Sequence, residues 1–363
     1  MDKDKSAELH FDIPPLRPDV VLPATEPEKL SAGFVYKTVL NELKKGKKFC
    51  FEGTFGTALS FYSWLKKQTN SKHPVHDYFS SRQNKHALFK LADNLLLRIS
   101  NHQAALTGAP QNGWLKILYP EEKDYYLRFT DFLGMNGAWQ WFKNGIHFPD
   151  LDKPVHPFYG VYFPTRNEHI SLFNSWLLKQ PVFQHALDIG TGCGVLSRFM
   201  LQNNIPQITA TDINRNSLIS LKLDMEKYGG DRYVKLIETS LFEGLDISSF
   251  DLIVFNPPWI PEKASGILDQ AMYYDLHLFE KFFSCAFDGM HKDAFLLILF
   301  STFANAAGIT PEHPIEKEIG RGRFELIEKV ERPVLQTTSG GKDWLSAIRS
   351  KEVIELWVLR KKK

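Results

Sequence analysis

Asp188, Asp212 and Asn256 are the residues whose types and settings could do chemistry together. Asp188 lies in the apolar run Ala186-Leu187-Asp188-Ile189, ahead of Gly190-Thr191-Gly192-Cys193-Gly194, and an apolar helical pattern starts at Val195. That order predicts a strand, a tight turn and a helix start. Alternating glycines allow positive φ and keep side chains from between backbone and ligand. The free amides of the new helix then face whatever lies beyond the strand end. Asp212 closes a second strand-like run, Ile208-Thr209-Ala210-Thr211-Asp212, where a carboxylate can accept both hydroxyls of a ribose. Asn256 opens Asn256-Pro257-Pro258-Trp259, directly behind a third apolar run, Leu252 to Phe255. An amide or aromatic amino nitrogen is a poor nucleophile because its lone pair is delocalised. The Asn256 side-chain oxygen and the Pro257 carbonyl could both accept from such an NH2 group and aim its lone pair at an electrophile. Proline at 257 restricts Asn256 to extended geometry, and two prolines stiffen the turn. Trp259 offers a flat apolar surface to a planar group.

Two nucleotide-type readings compete at the glycines. A dinucleotide fingerprint needs G-x-G-x-x-G, and Val195 stands where its last glycine would be. Acid-x-G-x-G-x-G instead resembles motif I of the class I S-adenosylmethionine (SAM) dependent methyltransferases. Asn-Pro-Pro-Trp resembles their motif IV, in enzymes that modify nitrogen in planar amide or amino groups. Over roughly its second half the chain is similar to the release-factor glutamine methyltransferases and the methyltransferase small domain group.

The resemblance implies a doubly wound α/β fold, with a mostly parallel, seven-stranded Rossmann-like sheet. It also implies a SAM-dependent N-methyltransferase. Asp188 would orient the methionine ammonium, and Gly190, Gly192 and Gly194 would let the backbone approach the cofactor. Asp212 would take the ribose hydroxyls, Ile213 would lie against adenine, and Ser240 and Leu241 would border the adenine edge. Asn256, beside the cofactor, would act with Pro257 and Trp259 on the acceptor. Related enzymes often carry an acid where Ser240 stands, and a hydroxyl accepts more weakly than a carboxylate. Thr165-Arg166-Asn167-Glu168 stands where the family shows an R-P-x-T-E run, so Arg166 and Glu168 match it only in outline. A protein glutamine amide is the favoured acceptor. The alternatives are the exocyclic amine of a nucleic-acid base, which would have to be flipped out of a duplex, and a small-molecule amine. From another class come a non-catalytic SAM-binding interaction module and an NAD-dependent oxidoreductase; Val195 and the Asn256–Trp259 run disfavour the latter.

Composition sets the frame. The 363 residues exceed one typical domain. Hydrophobic content of 43% and charged content of 24% fit a globular chain with an ample core. A net charge of +2 provides no global field for nucleic acid. Cys50, Cys193 and Cys285 are scattered, forming neither a disulfide framework nor a metal-ligand pattern. The charged start, Met1 to Lys5, does not read as a signal peptide, and no apolar window is long enough to span a bilayer. The expectation is a cytoplasmic protein with no membrane partner.

The positioning elements follow in order. Residues 1–30, rich in proline and charge, are expected to be an extended arm rather than a packed element. Residues 31–150 read as a separate mixed or mainly helical domain, with a helix from His86 to Arg98 and a lysine cluster at Lys44, Lys45, Lys47 and Lys48. Those lysines could bind phosphate but more commonly sit solvated at a helix end. The aromatic stretch Trp114 to Phe148 reads as core, although aromatics can also stack bases. Residues 151–157 read as a linker and 151–363 as the methyltransferase domain. Within it, strands are expected near 185–189, 207–211, 233–238, 251–255 and 294–300, and helices near 194–204, 214–227 and 272–290. The runs Phe324 to Glu331 and Val353 to Leu359 are expected to pair antiparallel at one edge, followed by a frayed basic tail from Arg360.

Overall fold

The computed structural model describes residues 13–264, 269–334 and 344–362. The chain divides into two units, Met1–Trp141 and Phe142–Lys363.

The first unit is mixed α/β. In chain order it contains β1 (Glu28–Leu30), α1 (Tyr36–Leu43), β2 (Phe49–Phe51), α2 (Phe55–Lys72), α3 (Tyr78–Ala92) and β3 (Leu95–Ser100). Then follow β4 (Gln103–Ala104), α4 (Trp114–Leu118), β5 (Asp124–Arg128) and α5 (Phe129–Asn144), whose last residues open the second unit. The five strands run β1-β2-β3-β4, with β5 also on β3. The expected helix from His86 to Arg98 is two elements. Leu95, Leu96 and Leu97 are fully buried in β3 between β2 and β5, and a continuous apolar run of this kind fits a helix or a buried strand equally well.

The proline-rich segment is largely exposed over its described part but is tied to the first unit at several points. The Tyr119 hydroxyl donates to the Pro18 carbonyl at 2.7 Å, Val21 pairs with Tyr126, and Arg17 reaches Glu122. The expectation for residues 1–12 lies outside the described residues. In the lysine cluster, Lys45 pairs with Glu42 and Lys47 with Glu28, as solvated helix-end lysines do. Trp114, Phe129 and Phe132 are buried, whereas Trp141 is exposed.

The second unit carries α6 (Glu168–Leu177), β6 (His185–Ile189), α7 (Val195–Gln202), β7 (Gln207–Asp212), α8 (Arg215–Tyr228), β8 (Val234–Glu238) and β9 (Leu252–Phe255). After these come α9 (Leu278–Gly289), β10 (Phe295–Ser301), β11 (Phe324–Pro333) and β12 (Val353–Lys361). Seven strands run β11-β12-β10-β9-β6-β7-β8. Strands β6 to β10 are parallel, and β12 is antiparallel to both neighbours. This is the expected doubly wound, mostly parallel seven-stranded sheet with an antiparallel edge pair. The inner strands are apolar along their length because both faces are covered.

Three expectations fail locally. The helix expected from 272 starts at Leu278, because the backbone of Met272 and Tyr274 pairs instead with Ile260. The basic tail is not frayed: Arg360 and Lys361 belong to β12, and the Arg360 guanidinium lies 4.1 Å from the Phe295 ring centre. The 151–157 linker is anchored, with Val155 paired to Ile146 and His156 buried.

The turn after β6 shows why its last glycine is needed. Gly194 has φ +83°, and a Cβ there would stand 2.6 Å from Leu221 Cδ1 in α8. Gly194→Ala combines left-handed strain with overpacking, so chemical denaturation should show a loss of about 2–3 kcal/mol.

Candidate active site

Register builds the site before any side chain is considered. Ile189 pairs with Thr211 on one side and with Phe255 on the other. Gly190, Asp212 and Asn256 therefore leave three adjacent strands at one level. Strand order reverses between β6 and β9, so the crevice at their carboxyl ends is the switch point where ligands of such sheets bind.

Asp188 is fully buried. Its Oδ2 accepts from Thr191 Oγ1 at 2.8 Å, Ser197 Oγ at 2.6 Å and Ser197 N at 3.1 Å, tying the strand end to the first turn of α7. Its Oδ1 has no hydrogen-bond partner among the described residues. Burial pushes its pKa up, against the lowering pull of the Ser197 and Thr191 bonds.

Asp212 closes β7. Its Oδ2 accepts from Gly192 N at 2.9 Å and its Oδ1 from Asn214 N at 2.8 Å, and the Ser217 hydroxyl and the Ile213 amide also favour its charged form. Burial raises its pKa while these backbone amides oppose the shift. At Gly190 and Gly192, φ is +65° and +54°, and a Cβ would come no closer than 3.8 Å to Phe255 and 3.5 Å to the Tyr162 carbonyl oxygen. Conformation and approach, rather than packing, call for glycine at these two. Ile213 is 59% exposed despite being apolar. Ser240 is half-buried. Leu241 has φ +52°, a strained setting for a branched side chain that costs about 1–3 kcal/mol and is concentrated at functional sites.

At the end of β9 the Asn256 Oδ1 is buried with no partner among the described residues. Pro257 is buried and Trp259 half-buried. The Trp259 indole N–H donates to the Leu299 carbonyl at 3.4 Å, and its rings pack on the core beside β10. His169, in the first turn of α6, meets Trp259 edge-to-face, with ring centres 5.2 Å apart and planes at 89°. Its imidazole is 2% exposed, its Nδ1 has no partner among the described residues, and burial pushes its pKa down to about 4. Arg166 and Glu168 pair with each other, Nη2 to Oε1 at 3.1 Å.

The sequence reading missed His169, which reads there only as one residue of an amphipathic helix. It also missed the polar rail on α8. Asn216, Ser217, Ser220 and Asp224 are buried, and Asn216, Ser220 and Asp224 hold the segment before α6. Asn216 Nδ2 donates to the Tyr159 carbonyl at 2.7 Å, and Asn214 Nδ2 donates to the Gly160 carbonyl at 2.9 Å. Asp224 accepts from His156 N at 3.0 Å and lies 2.9 Å from its Nδ1. Polar residues three and four apart on a helix otherwise expected to be apolar inside were the available signal.

The three orphan atoms are informative together. Arginines aside, the buried side-chain polar atoms of this unit without a partner among the described residues are His169 Nδ1, Asp188 Oδ1 and Asn256 Oδ1. Buried polar groups are nearly always paired. Those of Asp188 and Asn256 lie at the ends of β6 and β9, where the crevice opens, and that of His169 lies in the first turn of α6 on the ring that meets Trp259.

The Methyltransferase small domain model matches residues 170–277. A ribosomal protein uL3 glutamine methyltransferase of Neisseria gonorrhoeae is 29% identical over 184 residues, 49% of this chain and 58% of that protein. A release factor glutamine methyltransferase of Deinococcus radiodurans is 35% identical over 109 residues, 30% of this chain and 37% of that protein. The chain thus spans less than two thirds of the length of these curated relatives. A solved ribosomal protein L11 methylase from Lactobacillus delbrueckii subsp. bulgaricus superposes with a TM-score of 0.36 at 20% identity, covering 57% of this chain and 84% of that one. Among the described residues no helix is long and apolar enough to cross a membrane. Residues 170–277 match the methyltransferase small domain, and the unit that holds them is similar to the class I SAM-dependent methyltransferases with an Asn-Pro-Pro-Trp motif IV.

Proposed function

We propose that this protein is a SAM-dependent N-methyltransferase whose acceptor is a planar carboxamide, the side chain of a protein glutamine. The observation that carries the reading is the buried, unpartnered Asn256 Oδ1 on the Pro257-Pro258 turn at the switch point. An acceptor atom left without a donor in the protein suits an NH2 group brought by substrate. Two relatives whose names specify glutamine as acceptor support the amide over a nucleobase, as does the net charge of +2.

The residues present fit the cofactor. Gly190 and Gly192 leave the strand end open to it, Asp188 Oδ1 awaits a donor, and Asp212 places an acceptor carboxylate at the end of β7 for the ribose hydroxyls. Ile213 offers an apolar face to the base, and Ser240 and Leu241 border the same edge. SAM, when bound, supplies an electrophilic methyl on a sulfonium. Asn256 and the Pro257 carbonyl would then hold the acceptor nitrogen through its two hydrogens, with the lone pair facing the methyl. Trp259 would bear on the amide plane and limit its rotation. No base is needed before transfer, because the nitrogen sheds its proton afterwards.

Calorimetric titration of S-adenosylhomocysteine tests the cofactor half. Asp212→Ala should weaken binding by about tenfold or more, since two hydrogen bonds to a charged acceptor are lost. Transfer of a tritiated methyl onto cell extract tests the acceptor half. Label in protein that survives ribonuclease, and is recovered as N5-methylglutamine after proteolysis, is the expected result. Label that ribonuclease removes would move the reading to a nucleobase, and no cofactor binding by wild type would favour a binding module.

A further inference from the structure

His169 carries a feature that its packing does not explain. Its edge-to-face contact with Trp259 could be made by a phenyl ring, which would bury no nitrogen without a partner. The imidazole nevertheless stands there, 2% exposed. The other two non-arginine orphans of the unit, on Asp188 and Asn256, lie at the strand ends on either side of the switch point. One polar atom of the proposed acceptor also lacks a protein partner. A primary carboxamide offers two N–H donors and one oxygen acceptor. Asn256 Oδ1 and the Pro257 carbonyl can take only the donors.

We propose that His169 binds the acceptor, its Nδ1–H donating to the oxygen of the carboxamide whose nitrogen Asn256 and Pro257 hold. This assignment rests on the carboxamide reading given above. Burial, which pushes the pKa down to about 4, keeps the ring uncharged near neutral pH. A neutral imidazole gives one N–H and one lone pair, so it can anchor the oxygen without setting a positive charge near a sulfonium. Donor and acceptor walls set side by side would also discriminate. A glutamate carboxylate has no hydrogens for Asn256 and Pro257, and its second oxygen would face two acceptors.

The test uses the full chain saturated with S-adenosylhomocysteine and the probe N-acetylglutamine methylamide, whose binding is followed by saturation-transfer NMR. N-acetylglutamate methylamide and adenosine serve as controls. The glutamine probe should bind wild type and the glutamate probe should not. His169→Phe keeps a ring beside Trp259 and should weaken the glutamine probe about tenfold. His169→Asn, whose side-chain N–H can stand where Nδ1 does, should recover to within about threefold of wild type. S-adenosylhomocysteine affinity should match wild type in both variants, which reports an intact fold.

Equal binding of the glutamine probe by wild type and His169→Phe would overturn the role of His169 and leave the carboxamide reading standing. Weak binding by His169→Asn as well as His169→Phe would overturn the hydrogen bond. Wild type that takes adenosine and ignores the glutamine probe would overturn the carboxamide reading, and this assignment with it.

Discussion

Asn256→Ala should lower kcat for methyl transfer by about 100- to 1,000-fold, the range seen when one preorganised group at a reacting centre is removed. Its side-chain oxygen is buried and engaged by nothing among the described residues, so alanine removes it without breaking a hydrogen bond within the protein. The stiff Pro257-Pro258 turn should hold its shape around the smaller residue. Affinity for S-adenosylhomocysteine should change by less than about threefold, because in the proposed reading the carboxylates of Asp188 and Asp212 and the glycine turn would carry most of that contact. Asn256→Asp supplies the internal control. A carboxylate still offers an oxygen to the amide hydrogen that Asn256 would take, so it should keep substantially more activity than alanine. Should alanine and aspartate fall equally, the role of Asn256 would be shape rather than acceptance from the NH2 group. Single-turnover labelling with saturating cofactor separates this outcome from slow product release.

The candidate site was legible where one residue type had to stand at one strand end. Asp188, Asp212 and Asn256 each follow a short apolar run, and parallel register then brings the ends of β6, β7 and β9 to one level without further information. Strand–helix alternation likewise pointed to a parallel doubly wound sheet, whereas the count of seven strands came with the family resemblance and their order from the structure. His169 was not legible because its distinguishing property is tertiary. Only packing against Trp259, ninety residues away, makes its nitrogen a buried orphan. The partners of Asp188 were hidden for a related reason, since Thr191 and Ser197 look like a turn residue and a helix residue until the turn brings both onto one oxygen. In the first unit the short β1, β2 and β4 have too few residues for alternation to declare itself. The leucines of β3 fit two periods at once.

Asp188 joins the fold to the site, and two substitutions should pull those functions apart. Asp188→Ala deprives Thr191 Oγ1, Ser197 Oγ and Ser197 N of their common acceptor. Three donors left at a buried position should cost about 3–5 kcal/mol in chemical denaturation. Asp188→Asn can keep an oxygen at Oδ2, with its NH2 group at the Oδ1 position that no protein donor occupies. Stability near pH 7 should then stay within about 2 kcal/mol of wild type. SAM affinity should nevertheless fall by about tenfold or more, because a hydrogen-bond donor would face the cofactor ammonium in place of a carboxylate oxygen. The pH dependence fixes the sign. Burial raises the folded pKa of Asp188 above its ordinary value of 3.8, so the folded state takes up the proton before the unfolded state does. The contribution is fully present below the unfolded pKa and is lost as pH rises through the folded one. Wild type should therefore gain on Asp188→Asn as the solution is acidified from neutral toward about pH 4. A stability difference independent of pH would mean that the Asp188 carboxyl titrates alike in both states, and that its burial exerts no penalty on charge.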